Sequence, residues 1–559
     1  MKKIAFLILV ILSTDVFAIS NDAIYEKMEK TFILHDNQTI EQRICFDLKM
    51  LTYYAIHRKY GETPIIYNPK YQEVKIHEVY TLLPDGKKVK LPVNAINEIL
   101  PQEAADAPAY NNILKMVITH TGLEINCVIH LDYSIISKKG YFPCLMGYER
   151  LQQSSPANVL KINVVVPESV NLKFDLLNFS TEVKQEEKNG AVNYEWTCNN
   201  MYAYSEEPFQ PYSQLFEPYL MFTTKDLKIV YSEFINQQAL SFYISEKTRQ
   251  WAGKLKSESK DNEDFIRKVH RYVYNYIRTY NLPMAVSGYK IQTPDEVFQN
   301  CGGTKIEKLC FMNAILQTAG IKADIVLIAN GINKEIPSIN LDAFNDCMIS
   351  VKLKSGEFTD ELLFFADENE SLDKSSNYNR ISFSSHLPLF IGMSTYKVSY
   401  YDFFANYEYY EEGSKLLDNR AFFISTSDKT KVESRPIHDS IYTIIRIPYT
   451  NAGIDKWHFP TLTTDRICPL LLPSIKSDVR VIITKKPSNL KLASGNKTIY
   501  IDNEVGTYSF KLYEKRKEII IEREIKFKKQ IVEPTEYSLF KELQSSWQLE
   551  NNNVLIFYK

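Results

Sequence analysis

Residues 301–329 read CGGTKIEKLCFMNAILQTAGIKADIVLIA, and their pattern decides the middle of the chain. Two glycines form a loop. Thr304 to Thr318 then places Leu309, Met312, Ile315, Leu316 and Ala319 at helical spacing. Gly320 stops that helix, because glycine adopts the left-handed conformation of a C-terminal cap without penalty. Ala323 to Ala329 is an apolar run of strand length. Upstream, Asp264 to Tyr280 is a second amphipathic helix with Phe265, Val269, Tyr272, Val273, Tyr276 and Ile277 on one face. The charged span Leu255 to Glu263 caps or precedes it. Downstream, Asp346 to Leu353 and Leu362 to Ala366 read as strands. The middle of the chain is therefore expected to be α+β, with helices first and an antiparallel sheet after.

Both flanks alternate polar and apolar residues instead. His77 to Leu83 runs into the turn Pro84-Asp85-Gly86, and Cys127 to Ile135 and Leu160 to Val166 alternate. Antiparallel sheets packed as a β-sandwich are expected from Asn21 to Lys225. Strands resume after Tyr401: Ser440 to Ile447, Asp478 to Thr484, Thr498 to Ile501 and Glu518 to Phe527. A helix, Tyr537 to Leu543, and a strand, Val554 to Tyr558, close the chain.

The 559 residues hold 66 Lys plus Arg and 68 Asp plus Glu, a net charge of −2. With no basic block in either half, nucleic acid is not expected as a partner. Eight cysteines in a chain of this size are too sparse for a disulfide scaffold, and no C-x-x-C pair exists. The H-E-x-x-H, G-x-G-x-x-G and G-x-x-x-x-G-K-[ST] patterns are absent, so no metal or cofactor is expected. Lys2 and Lys3, an apolar run from Ile4 to Leu12, and Val16-Phe17-Ala18 together read as a secretory signal peptide cleaved after Ala18. No later run is long enough for a membrane helix. A periplasmic or secreted protein is expected.

The order of these elements resembles the transglutaminase-like superfamily. There a Gly-Asp-Cys or similar tripeptide opens a helix ending in Ala-Gly-Ile, followed by a strand, a strand bearing His and a strand bearing Asp. The matching residues are Cys301-Gly302-Gly303-Thr304, Ala319-Gly320-Ile321, Ile325 to Ile328, Phe344-Asn345-Asp346 and Phe364-Phe365-Ala366-Asp367. Pro294 to Phe298 resembles the short helix before the nucleophile loop. The flanks resemble the β domains that bracket this core in secreted Gram-negative proteins: Pro84-Asp85-Gly86, Ala107 to Tyr110 and Gly122 to Ile125 on one side, the closing helix and strand on the other. With the signal peptide (1–18) and the change of pattern along the chain, the resemblance implies an N-terminal β domain (19–240), a papain-like α+β core (241–400) and a C-terminal β-sandwich-like domain (401–559).

It also implies a Cys–His–Asp triad, and here the sequence departs. The chemistry needs a thiolate at a helix N-terminus, an imidazole to take its proton and a carboxylate to orient the imidazole. The nucleophile place falls on Thr304, with one residue of slack that admits Lys305. The His place falls on Asp346; Asp367 alone keeps its type. No His lies between His270 and His386. Cys301, on the loop, is the fallback nucleophile, while Cys310 and His270 read as core residues. Thr304, Asp346 and Asp367 are expected to cluster as a degenerate triad. Lys305 or Lys308 could neutralise the two carboxylates, although helix lysines ordinarily point to solvent.

The reading is thus a secreted, catalytically inactive protein that binds or scaffolds a protein, peptide or glycan of the cell envelope. The alternative is an active cysteine amidase, peptidase or transglutaminase-like enzyme using Cys301. Two aromatic stretches could offer ligand surfaces, but Tyr400 to Tyr410 reads rather as a strand with one buried face and Met201 to Phe222 as a linker packed on both neighbours.

Overall fold

The computed structural model describes residues 21–329, 336–355, 358–367, 381–384, 387–389, 403–412, 420–425, 431–434, 436–447, 454, 459, 466–472, 476–483, 491–515, 518–549 and 552–558. The expected signal peptide, His386 and the boundary at 400/401 lie outside these residues. What is described is a β-rich, multidomain chain with few helices.

The N-terminal region is built on an eight-stranded sheet. From edge to edge its strands are Val183–Lys188, Ala191–Met201, Ala157–Pro167, Ala23–Leu34, Ile40–Met50, Val128–Ser137, Gln72–Leu82 and Lys88–Lys90. Alternation puts Tyr25, Met28 and Phe32 on its inner face with Leu131, Ile162, Val164 and Trp196. Two three-stranded sheets supply residues to the same core: Ile65 and Ile118 from one, Leu220 and Phe222 from the other. The expectation of purely antiparallel pairing needs one correction, because Ala23–Leu34 runs parallel to Ala157–Pro167. Local alternation fixes which face a residue takes, and it carries no information on strand direction.

Five helices follow: α1 (Leu227–Ile235), α2 (Glu246–Ser257), α3 (Asn262–Tyr276), α4 (Pro294–Asn300) and α5 (Lys305–Thr318). The first begins at Leu227 and buries Val230, Tyr231 and Phe234 in the helical core, ahead of residue 241. Asp261 caps α3 by accepting from the Asp264 N–H at 2.8 Å. Thr293 caps α4, with Pro294 at its first position and Glu296 returning to the Thr293 N–H at 2.7 Å. Gly320 closes α5 with φ 71°. The helix is buried all round from Ile306 to Leu316, more completely than its one expected apolar face. Its sheet runs Phe358–Phe365, Asp346–Ser355, Ala323–Ile328, Ile381–Ser384 and Leu387–Leu389, with every neighbouring pair antiparallel.

The N-terminal and middle regions interlock. Asn340 Nδ2 donates to the carbonyls of Gly147 and Phe222, both at 3.0 Å, and Tyr141 Oη donates to the Val286 carbonyl at 2.7 Å. The C-terminal region has a seven-stranded sheet, in which Phe403–Glu412 pairs in parallel with Lys476–Ile483. Helix α6 (Tyr537–Gln548) buries Tyr537, Phe540, Leu543 and Trp547 against that region's core. The stretch 201–222 touches both neighbours, as a packed linker should. Tyr219–Thr223 is a strand of the N-terminal region, and buried Arg466 donates to the Pro208 carbonyl at 2.8 Å and pairs with Glu207 at 3.4 Å.

Candidate functional site

The loop before α5 is held by its glycines. Residues 302–303 pair in parallel with 278–279. A Cβ on Gly302 would lie 2.0 Å from the Tyr280 hydroxyl, so no other residue fits without moving that ring. This fixes the entry to α5 and presents its first turn to a cavity of about 380 Å³. Thr304, Lys305, Asp342, Asp346 and Cys347 line the cavity together with apolar Leu282, Met284, Leu327 and Phe344.

Two carboxylates meet one ammonium at the edge of this cavity. Asp346 opens its strand. Met348 pairs with Phe365 on the neighbour, and extending that register by two residues sets 346 beside 367. Lys305, the first residue of α5, reaches both: its Nζ is 3.2 Å from Asp346 Oδ1 and 2.9 Å from Asp367 Oδ2. Burial works against the ammonium, but the hydrogen bond to Asp367 and the charge of Asp346 outweigh it and hold the Lys305 pKa above its ordinary value. A cation at a helix N-terminus opposes the helix dipole, so the carboxylates also offset that cost.

Thr304 stands next to this cluster without joining it. Its N–H donates to Glu307 Oε2 at 2.7 Å, whereas its Oγ1 is buried and has no hydrogen-bond partner among the described residues. Thr304 is therefore not the residue that reaches the carboxylates; Lys305 is, one place along. The expectation that helix lysines turn to solvent is also corrected. Lys305 is in the ion pairs, and Lys308 is buried, donating to Thr279 Oγ1 at 2.8 Å. Burial pushes the Lys308 ammonium down to about 8, against the opposing pull of Asp367.

Cys301 lies elsewhere. It caps the C-terminal end of α4 in the left-handed conformation, φ 51°, and is exposed. The thiol therefore stands at the carbonyl end of α4 and not at the N-terminus of α5. Its sulfur contacts the Phe298 carbonyl at 3.6 Å. His270 is buried and packed against Phe364, with Nε2 2.9 Å from the Phe365 carbonyl; burial lowers its pKa. Cys310 is fully buried, and burial raises its pKa. All eight cysteines are unpaired.

Two further acids lie close by, Glu307 fully buried and Asp342 half-buried. Glu307 accepts from the Tyr110 hydroxyl, from the Gln292 N–H at 2.6 Å, from the Gln292 side-chain amide at 3.0 Å and from the Thr304 N–H. Asp342 accepts from Tyr289 Oη at the cavity wall, and burial pushes it up to about 6. The Thr-x-x-Glu spacing of a capping box was a readable signal for Glu307. Asp342 carried none. Among the described residues no group of three or more His, Cys, Asp or Glu is placed to hold a metal ion, and no helix is long and apolar enough to cross a membrane.

Two family models match the chain, each describing a domain of unknown function: DUF3857 over residues 37–205 and DUF3858 over residues 439–557. They cover the two β-rich flanks and leave the helical middle unassigned. No curated protein matches. Among solved structures, the chain resembles the 2.00 Å crystal structure of a "putative protease" from Parabacteroides distasonis. The identity is 27%, over 96% of this chain and 99% of that one, with a TM-score of 0.71, so the two share their fold over nearly their whole lengths. Two structures of M1 zinc metallopeptidase, one from Deinococcus radiodurans, have TM-scores of 0.20 and 0.19 and carry no argument.

Proposed function

We propose that the middle of the chain is a transglutaminase-like core whose catalytic triad has been replaced, and that the protein is a secreted, non-catalytic binding or scaffolding component of the cell envelope. One observation carries this reading: Lys305 Nζ lies within 3.2 Å of Asp346 and within 2.9 Å of Asp367. In the family, a thiolate, an imidazolium and a carboxylate would meet at this juncture. With the one-residue slack of the sequence, this reading puts Lys305 at the nucleophile place.

The substitution preserves charge while removing chemistry. A thiolate–imidazolium–carboxylate set sums to −1, and so does an ammonium flanked by two carboxylates. An ammonium held above its ordinary pKa is protonated and has no lone pair to attack an amide carbon. The carboxylates are engaged with Lys305, and the thiol of Cys301 has no described imidazole beside it. On this reading the protease activity suggested for the Parabacteroides distasonis protein does not extend to this chain. The apolar cavity beside Lys305 remains available for a side chain of a peptide, protein or glycan partner.

A thiol-reactive probe tests the reading. Cys301 should label no faster than a free thiol of pKa about 8.5, and a panel of peptide and glycan amides should remain uncleaved. Fast labelling at neutral pH that is lost in Cys301→Ala would establish the cysteine-enzyme alternative. Capture of envelope proteins on the wild-type chain, weakened by filling the cavity with Leu327→Trp, would place the partner.

A further inference from the structure

The N-terminal β region holds a second, larger cavity, unrelated to the α5 site. It has a volume of about 810 Å³ and lies between residues 55–61 and the sheet of Glu62–Tyr67, Leu114–Thr119 and Ile96–Ile99. Residues 55–59 form a single π-helical turn, with the Tyr60 N–H donating to the Ala55 carbonyl at 2.8 Å. Such turns are rare, occur mostly as single-turn bulges within α-helices, and are frequent at functional sites. Gly61 permits this one: a Cβ there would sit 2.6 Å from the Ile56 carbonyl oxygen.

The cavity is positive, and a buried polar group in its wall has no partner among the described residues. Arg58, Lys59 and Lys115 line it, against one carboxylate, Glu62. Lys59 donates to the Ser154 carbonyl at 2.7 Å. Arg58 and Lys115 have no ion-pair partner among the described residues. The sheet register sets Lys115 opposite Ile99 and Val117 opposite Pro64, so a cation and an apolar row share one face. His120 also lines the cavity and is only 5% exposed. Its Nε2 lies 2.8 Å from Thr63 Oγ1, while its Nδ1 has no partner. Burial pushes this imidazole down to about 4, so it is neutral at pH 7. A buried ring nitrogen without a partner is a costly feature unless a ligand completes it.

We propose that this cavity binds a small organic oxyanion, a carboxylate or phosphate on a sugar-sized framework, gripped by Arg58 and Lys115 and hydrogen-bonded through His120. The volume falls in the range of small-molecule sites. Two cations facing one carboxylate select an anion, and the apolar wall of Ile56, Ile99 and Val117 takes the framework.

Calorimetric titration of the full chain tests this with three probes on one framework: glucose 6-phosphate, glucuronate and glucose. One or both anions should bind while glucose does not, and whichever anion binds identifies the charged group. Arg58→Ala and Lys115→Ala should each weaken binding about tenfold with the unfolding transition unchanged, the cost of one charge-assisted contact. Val117→Trp, which fills the cavity and leaves every charge in place, should abolish binding. The proposal is overturned if neither anion gives heat at about 10 mM, enough to fill a millimolar site. It is equally overturned if glucose binds as well as the anions, or if the Arg58→Ala/Lys115→Ala pair binds like the wild type.

Discussion

Lys305 and Glu307 lie two residues apart on the first turn of α5, yet their surroundings are opposites. Glu307 is fully buried and collects four donors from three segments, including Tyr110 of the N-terminal region. Lys305 keeps about a third of its side chain exposed and gathers two acceptors at a cavity edge. The first cluster locks the loop, the helix and the neighbouring region into one unit. The second tunes charge at a surface that a ligand could reach. Stability and the candidate site are thus separated within one helical turn, and substitutions at the two positions should behave differently.

The largest effect belongs to Glu307. Glu307→Ala strands four buried donors, and a loss of about 3–5 kcal/mol is expected. Hydrogen exchange of the α5 amides reads it directly. A loss below about 1 kcal/mol would mean that the donors find other acceptors, which would break the contrast.

Lys305→Met should cost about 1 kcal/mol, because the pair is partly solvated and long exposed side chains gain little from pairing. It leaves Asp346 and Asp367 facing each other, so the deficit should shrink as salt is raised toward about 1 M. A deficit insensitive to salt would show that Lys305 acts through packing.

Lys308 sharpens the comparison through pH. Its folded pKa of about 8 lies below its ordinary 10.5. Between those values the unfolded chain binds more protons, so this residue's contribution makes stability rise with pH across that window. The expected sign is a Lys308→Met variant more stable than wild type at pH 7, with the advantage narrowing as pH climbs from 8 toward 10. An advantage that widens over that range would contradict the buried, reluctant ammonium described here.

Much of this was legible in the sequence. The apolar spacing of 304–318, the stop at Gly320 and the runs at 323–329 and 346–353 gave α5 and the two strands after it in their order, whereas α1 and α2 were not read from the sequence. Two acids, Asp346 and Asp367, could be placed next to each other from that order. What could not be read depends on distant partners. Nothing local says that Glu307 and Lys308 are buried, because the residues that cover them, Tyr110, Gln292 and Thr279, come from other segments. Nothing local distinguished Thr304 from Lys305 as the residue facing the acids, since a shift of one place turns the side chain about 100° around the helix. The parallel pairing of Ala23–Leu34 with Ala157–Pro167 and the cavity beside His120 likewise arise from topology.

The central claim is that position 305 occupies the place of a lost nucleophile. The most direct measurement is the pH dependence of iodoacetamide labelling in a Cys301→Ser/Lys305→Cys/Asp346→His chain. If the claim holds, the introduced thiol sits at the N-terminus of α5 beside an imidazole and labels with an apparent pKa below about 7, rising toward 8.5 when Asp346 is left unchanged. A thiol at 305 that titrates near 8.5 whether residue 346 is His or Asp would contradict it.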